Sequence, residues 1–446
     1  MKTNVFLAAS IAALILACSF TCAGASAPAD NWPQFRGPGA RGIAPDNANL
    51  PDYWSATSNV AWKAEIPGRG WSSPIVWGDR VFVTTAVSAG PAEAPKTGLY
   101  QGSLKVTNTE WKVICLDLSS GKPLWERPLH SGTPASPAHS KNSYASETPV
   151  TDGERVYAYV PNMGVSCFDF QGQLVWSKSL ETHKMRFGWG TGASPALFRD
   201  RLYLVNDNEE QSYLLALDKS SGKEIWRTPR DEKSNWATPF VWEIDQRAEI
   251  ITPGTGATRA YDLDGKLLWW FKGMSGITIA TPYADQGLVY ISSGYVADRL
   301  KPLYAIRPGA SGDISLASGQ TTNASIAWCQ PAAAPYNPTT LLYNGLVYVL
   351  LDRGELGAYD ARTGAAVFEH ASLPNGLHFT ASPWAANGRV FCLNEDGLTF
   401  VVRAGKQFEV LHTNKLAEDD ICLATPALAG DRLIIRSAIR LYCIRK

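Results

Sequence analysis

The stretch from Glu147 to Trp176 constrains the chain more than any other, because it is a unit that cannot stand alone. It reads as four short strands. Thr148-Pro149-Val150 opens the first, Arg155 to Val160 is the second, Gly164 to Phe168 the third and Gln173 to Trp176 the fourth. β-Branched and aromatic runs alternate with Asp-Gly, Asn-Met-Gly and Gln-Gly breakers, the pattern of strands joined by tight turns. A lone meander of this kind leaves apolar surface open to water and is marginal by itself. Copies elsewhere in the chain would supply the missing cover.

The copies are there. A small residue followed by Pro recurs at Ser73-Pro74, Thr148-Pro149, Ser194-Pro195, Thr238-Pro239, Thr281-Pro282, Ser382-Pro383 and Thr425-Pro426, and Thr339-Thr340 stands in one further place without its proline. Seven residues after the Pro position comes an apolar residue of the second strand: Val81, Val156, Leu202, Val289, Val347, Val390 and Leu433. The ends of the repeats match as well: Cys115-Leu-Asp117 with Gly121 and Trp125, Cys167-Phe-Asp169 with Gly172 and Trp176, Ala216-Leu-Asp218 with Gly222 and Trp226, Ala260-Tyr-Asp262 with Gly265 and Trp269. Ala358-Tyr-Asp360 with Gly364 and Phe368 keeps the pattern, and Ala305, Val401 and Cys443 head copies with Arg in the Asp column.

Most openings lie 43 to 46 residues apart. That period with four strands per unit predicts an all-β fold, a β-propeller of four-stranded antiparallel blades. Eight openings predict eight blades. Two insertions interrupt the period, one at 87–109 with 128–146 and one at 293–302 with 309–335. The last copy stops after its third strand, and the lone strand around Trp62 is expected to supply the fourth and close the ring.

The residue types suit these places. The Asp column (Asp117, Asp169, Asp218, Asp262, Asp360) accepts backbone N–H bonds in a short turn, and the Gly provides positive φ. The Trp column (Trp125, Trp176, Trp226, Trp269, with Trp62 at the closure) is expected to seal the seam to the next blade. Because Cys115, Cys167 and Cys443 replace Ala in one column, they read as buried small apolar residues rather than ligands or disulfide partners.

Before the propeller, residues 1–25 read as a signal peptide: Lys2, an apolar run from Val5 to Ala17, then Ala23-Gly24-Ala25. Ile15-Leu16-Ala17-Cys18 also resembles a lipoprotein signal, a second reading that would leave a lipid anchor on Cys18 and is weakened by Leu16. Both readings predict export, to the periplasm or the outer membrane of a bacterium. Residues 26–58 form an arm rich in Pro, Gly and Asn, and 59–446 form the single propeller domain. Lys+Arg and Asp+Glu both number 41, which argues against a nucleic-acid binder. No Cys/His spacing suggests a metal, and a monomer is expected.

The Ala-x-Asp-x-x-x-Gly-x-x-x-Trp pattern, met in full by Ala216 to Trp226, resembles the tryptophan-docking repeat of the quinoprotein-type (PQQ-like) β-propellers. The arm motif Trp32-Pro-Gln-Phe-Arg-Gly-Pro38 is similar to one in secreted bacterial proteins of this kind. The resemblance implies one of two roles. One is a BamB-like, non-enzymatic scaffold for protein partners in the envelope, serving outer-membrane protein assembly. The other is a dehydrogenase of alcohols or sugars that holds pyrroloquinoline quinone (PQQ) and calcium. The adjacent cysteine pair usual in such dehydrogenases is absent, and no motif assigns Glu147, Asn206, Asp207 or Asp352 a role, so a binding protein without cofactor or catalytic residues is the expectation. A glycan-binding propeller is a further alternative.

Partner-binding residues are sought in the loops that lead into each blade. There the sequence offers Arg69, Trp71, Tyr144, Arg186, Trp189, Trp236, Tyr336 and His378, aromatic and basic types that favour interaction hot spots. Trp71 and Trp236 also suit packing inside their own blades. The loop from His139 to Glu147 stands out on the same rim.

Overall fold

A computed structural model describes residues 30–90, 94–244, 247–416 and 421–446; the signal peptide, with Cys18, lies outside them. Eight antiparallel sheets follow one another along the chain. Blade 1 occupies 75–132, blade 2 150–179, blade 3 196–229, blade 4 240–271, blade 5 283–330, blade 6 341–372 and blade 7 384–415. Blade 8 combines Ala427–Ala429, Arg432–Arg436 and Arg440–Ile444 with Val60–Glu65 from the other end of the chain. Trp62 stands opposite Cys443 in that last pairing, so the strand near the N-terminus closes the ring.

One register repeats around the molecule. The small residue of the third strand faces the aromatic of the fourth: Cys115 opposite Trp125, Cys167 opposite Trp176, Ala216 opposite Trp226 and Ala260 opposite Trp269. The bulge that follows each pair lets the hairpin turn at its Asp. These small residues are fully buried, and Cys115, Cys167 and Cys443 among them are free thiols. The tryptophans then reach into the next blade. Their indole N–H groups donate to carbonyls there: Trp62 to Leu118 (2.9 Å), Trp125 to Phe170 (3.0 Å), Trp176 to Lys219 (3.0 Å) and Trp226 to Leu263 (2.9 Å). Each ring lies on the neighbour's turn glycine. At Gly172, φ is 78° and a Cβ would come within 2.7 Å of the Trp125 ring, so both the backbone angle and the close approach require glycine. An indole sealed in this way removes roughly 150–250 Å² from water, about 4–6 kcal/mol before entropy is counted.

Two expectations need correction. Trp269 keeps its hydrogen bond at home. It is fully buried, shares an apolar cluster with Tyr304 and Ile306 of blade 5, and donates within its own blade to Glu249 Oε2 at 2.8 Å. The Asp-Gly turn it would cover is missing from blade 5, where a long insert follows Arg307 and lays Gly312–Asp313 parallel to the outer strand of blade 4. The same insert hid a strand. Within 309–335, Ile326–Gln330 is the fourth strand of blade 5, with Trp328 opposite Ala305 and donating to Ala361 O at 3.0 Å.

The arm closes one end of the central channel. Trp32 pairs with Val76 of blade 1, Thr151 N of blade 2 donates to Pro33 O (2.9 Å), and Gly42 and Ala44 bond Ala385 of blade 7. Between these anchors Arg36 is wholly buried. Its guanidinium donates to the carbonyls of Ala40, Arg41, Thr340 and Pro383, four acceptors that suit one planar cation.

Candidate functional site

At the other end of the channel a Ser or Thr stands two residues before each innermost strand. Ser73, Thr148, Ser194, Thr238, Thr281, Thr339, Ser382 and Thr425 all line one cavity of about 470 Å³. They form a belt. The backbone N–H of one blade donates to the hydroxyl of the next: Ser73 to Thr148 (2.9 Å), Thr148 to Ser194 (2.9 Å), Ser194 to Thr238 (3.0 Å), Thr281 to Thr339 (3.0 Å), Thr339 to Ser382 (3.0 Å) and Ser382 to Thr425 (2.9 Å). No such bond joins Thr238 to Thr281 or Thr425 to Ser73 among the described residues. Phe35 of the arm also reaches the cavity.

Aromatic rings make the walls. Trp71 donates its indole N–H to Lys141 O (2.9 Å) and Trp236 to Gly190 O (2.8 Å), which turns their polar edges into the loops. Trp189 lies 6.0 Å from the Trp236 ring centroid and 6.0 Å from that of His139, and Tyr295 lies 5.3 Å from Tyr336. Burial holds His139 below the usual imidazole range, with Lys141 adding to the effect, and its Nδ1 accepts from Lys141 N.

The insertion in blade 1 is a lid. Leu99, Tyr100 and Gln101 cover the cavity, tied down where Leu104 N donates to Ala138 O (2.8 Å) and Ser140 N to Gly102 O (3.1 Å). Its far side is clasped by Glu395, which accepts from Gly98 N (2.7 Å), Lys141 Nζ (2.6 Å) and Thr380 Oγ1 (2.6 Å). Around this mouth stand apolar side chains open to water: Leu99 (56% exposed), Phe187 (66%), Val296 (45%) and Leu377 (53%).

Of the residues singled out from sequence, Trp71, Trp189, Trp236 and Tyr336 come together on the cavity wall. Trp71 and Trp236 are also nearly buried, so their packing and lining roles coincide. The others stand behind the wall. Arg69 donates to Ser140 O and Arg186 to Gly276 O, each bracing a loop. Tyr144 packs edge-on against Trp111, and His378 lies beneath the lid at Gly98. Sequence reasoning marked the loop from His139 to Glu147 without naming its Lys141, and missed Glu395, Tyr295 and the lid. An insertion that breaks the period in one blade was the available signal for the lid.

Two acidic groups near the mouth, Asp207 and Asp352, are already engaged. Asp207 makes a buried, two-pronged pair with Arg230 (2.7 and 2.8 Å) and accepts from Asn235. Asp352 accepts from Tyr336 N and from Asn337. Glu147 lies between the cavity-lining Ser146 and Thr148 but does not line the cavity itself; burial raises its pKa to about 7. No three metal-ligating side chains gather among the described residues.

The sequence profile of the outer membrane protein assembly factor BamB family matches residues 87–230, 161–275 and 245–446. The chain belongs to this family. BamB from Moraxella catarrhalis has a similar structure, with a TM-score of 0.52 and 13% identity over 81% of this chain and 97% of that one. Quinohemoprotein alcohol dehydrogenase from Comamonas testosteroni gives 0.58 and 13% over 94% of this chain and 81% of its own. The quinohemoprotein alcohol dehydrogenase ADHIIG from Pseudomonas putida HK5 gives 0.56 and 14%, over 93% and 80%. At such identities these likenesses speak for a shared propeller and nothing finer. No curated protein sequence matches the chain.

Proposed function

We propose that the protein is a non-enzymatic scaffold of the bacterial envelope, exported and monomeric, that docks a protein partner on its lidded face in the manner of an outer-membrane assembly factor. The apolar rim carries this reading. Phe187 sits at φ 56° and is 66% exposed. A bulky residue at positive φ is strained by on the order of 1 kcal/mol, and such strain concentrates at functional positions. Leu377 is presented beside His378, also at positive φ (59°). Exposed apolar groups around a concave mouth are the usual mark of a docking surface.

The test is co-purification from envelope membranes. A Phe187→Glu, Leu377→Glu variant should lose the outer-membrane assembly components that the wild-type chain retains, whereas Lys178→Glu on an outer strand should keep them. Retention by the rim variant, or no such components with wild type, would count against the scaffold.

A further inference from the structure

The belt has two gaps, and they are opposite one another. The hydroxyls that accept no N–H from the preceding blade are Ser73 of blade 1 and Thr281 of blade 5, half a turn apart in a ring of eight. Ser73 Oγ is buried and has no hydrogen-bond partner, although Ser73 lines the cavity. A buried hydroxyl without a partner is costly, and a guest in the adjoining cavity can supply that partner.

The cavity is also electrically neutral. Lys141, its one lining ammonium, is taken up by Glu395 and Gly98 O, and no carboxylate lines it. Charged ligands therefore find no counter-ion. Its walls offer the faces of Trp71, Trp189 and Trp236, whose electron-rich surfaces attract C–H groups polarised by neighbouring oxygens. A purely apolar guest would leave Ser73 and Thr281 unpaired. A guest with hydroxyls at both ends and C–H faces between satisfies both, since a hydroxyl both donates and accepts. The volume, about 470 Å³, lies in the usual range for small-ligand sites.

We infer that the space beneath the lid is a binding site for a small neutral saccharide, held by its ring faces on the tryptophans and by its hydroxyls at Ser73 and Thr281. Leu99 and Val296 belong to both cavity and rim, but the hydroxyls and tryptophans invoked here are not the docking surface, so the failure of either proposal leaves the other standing.

Titration of the mature chain with glucose, maltose, cellobiose and N,N′-diacetylchitobiose, followed by calorimetry and tryptophan fluorescence, tests the inference. Glucuronate and indole serve as charged and apolar controls. At least one neutral saccharide should bind saturably, more tightly than either control. Ser73→Ala with Thr281→Val should weaken it about tenfold or more. Trp189→Leu, on the half-buried wall and outside the belt, should weaken it comparably and keeps the test valid if the belt variant unfolds. No saturable saccharide binding, tighter binding of glucuronate or indole, or unchanged affinity in the variants would overturn it.

Discussion

Lys141 Nζ lies 2.6 Å from Glu395 Oε1, although the two residues are 254 positions apart. The pair ties the loop before blade 2 to blade 7 and fixes the lid at Gly98 between them. The Glu395 side chain is only 1% exposed, so removing its cation leaves a buried carboxylate.

Lys141→Ala should therefore cost about 3–4 kcal/mol, and Glu395→Gln less, because the ammonium it leaves behind is partly open to water and still donates to Gly98 O. Denaturant unfolding measures both. In Lys141→Ala the amides of Gly98 and Leu104 should also exchange faster with deuterium than in wild type, which separates an opened lid from a general loss of stability.

The two kinds of tryptophan should respond differently to Phe. Trp176→Phe frees only the Lys219 carbonyl at the surface turn, a loss of about 1 kcal/mol. Trp269→Phe strips a donor from Glu249, whose side chain is 2% exposed, and should cost about twice as much or more. Equal costs in chemical denaturation would mean that the two indoles play one role.

Glu147 makes stability fall with rising pH. Its pKa goes from 4.5 to about 7 on burial, so the folded state holds the proton longer than the unfolded chain does. The contribution is intact below pH 4.5 and is lost as pH climbs through 7. The full loss is on the order of 3 kcal/mol. Glu147→Gln should remove this slope, so the difference in Tm between variant and wild type should widen in the variant's favour from pH 5 to pH 8.

Burial raises the thiols of Cys115, Cys167 and Cys443 to about 12 and that of Cys329 to about 11. Alkylation by iodoacetamide at pH 8 should spare these four in the native protein and reach them only after denaturation. Mass spectrometry counts the adducts.

Much of the ring was legible because it is written locally and repeated. Ala216 to Trp226 carries a small residue, a turn Asp, a Gly and a docking Trp within one hairpin; the copies at Cys115 and Ala358 keep its spacing, and those at Cys167 and Ala260 shorten the turn by one residue. Trp328 escaped because the insert after Arg307 destroys the spacing by which its neighbours were found. Trp269 matches the pattern and still behaves differently, since its docking site would lie on the next blade and that blade lacks the turn. The site was harder for the same reason. Trp71, Trp189, Trp236 and Tyr336 belong to loops that any ring brings together. The bond from Lys141 to Glu395 and the hydroxyl belt depend on contacts between blades that no single stretch of sequence encodes.

The central claim is that the lidded face does the docking, and site-specific photo-cross-linking in living cells tests it most directly. A photoreactive residue would be placed at Leu99, Phe187, Val296 and Leu377 on the rim, and at Leu124, Leu174, Ile225 and Leu267, which are equally open on the outer strands. The expected result is a discrete adduct with one envelope protein from the rim positions only. Adducts from the outer strands alone, equal adducts from both sets, or none from the rim would contradict it.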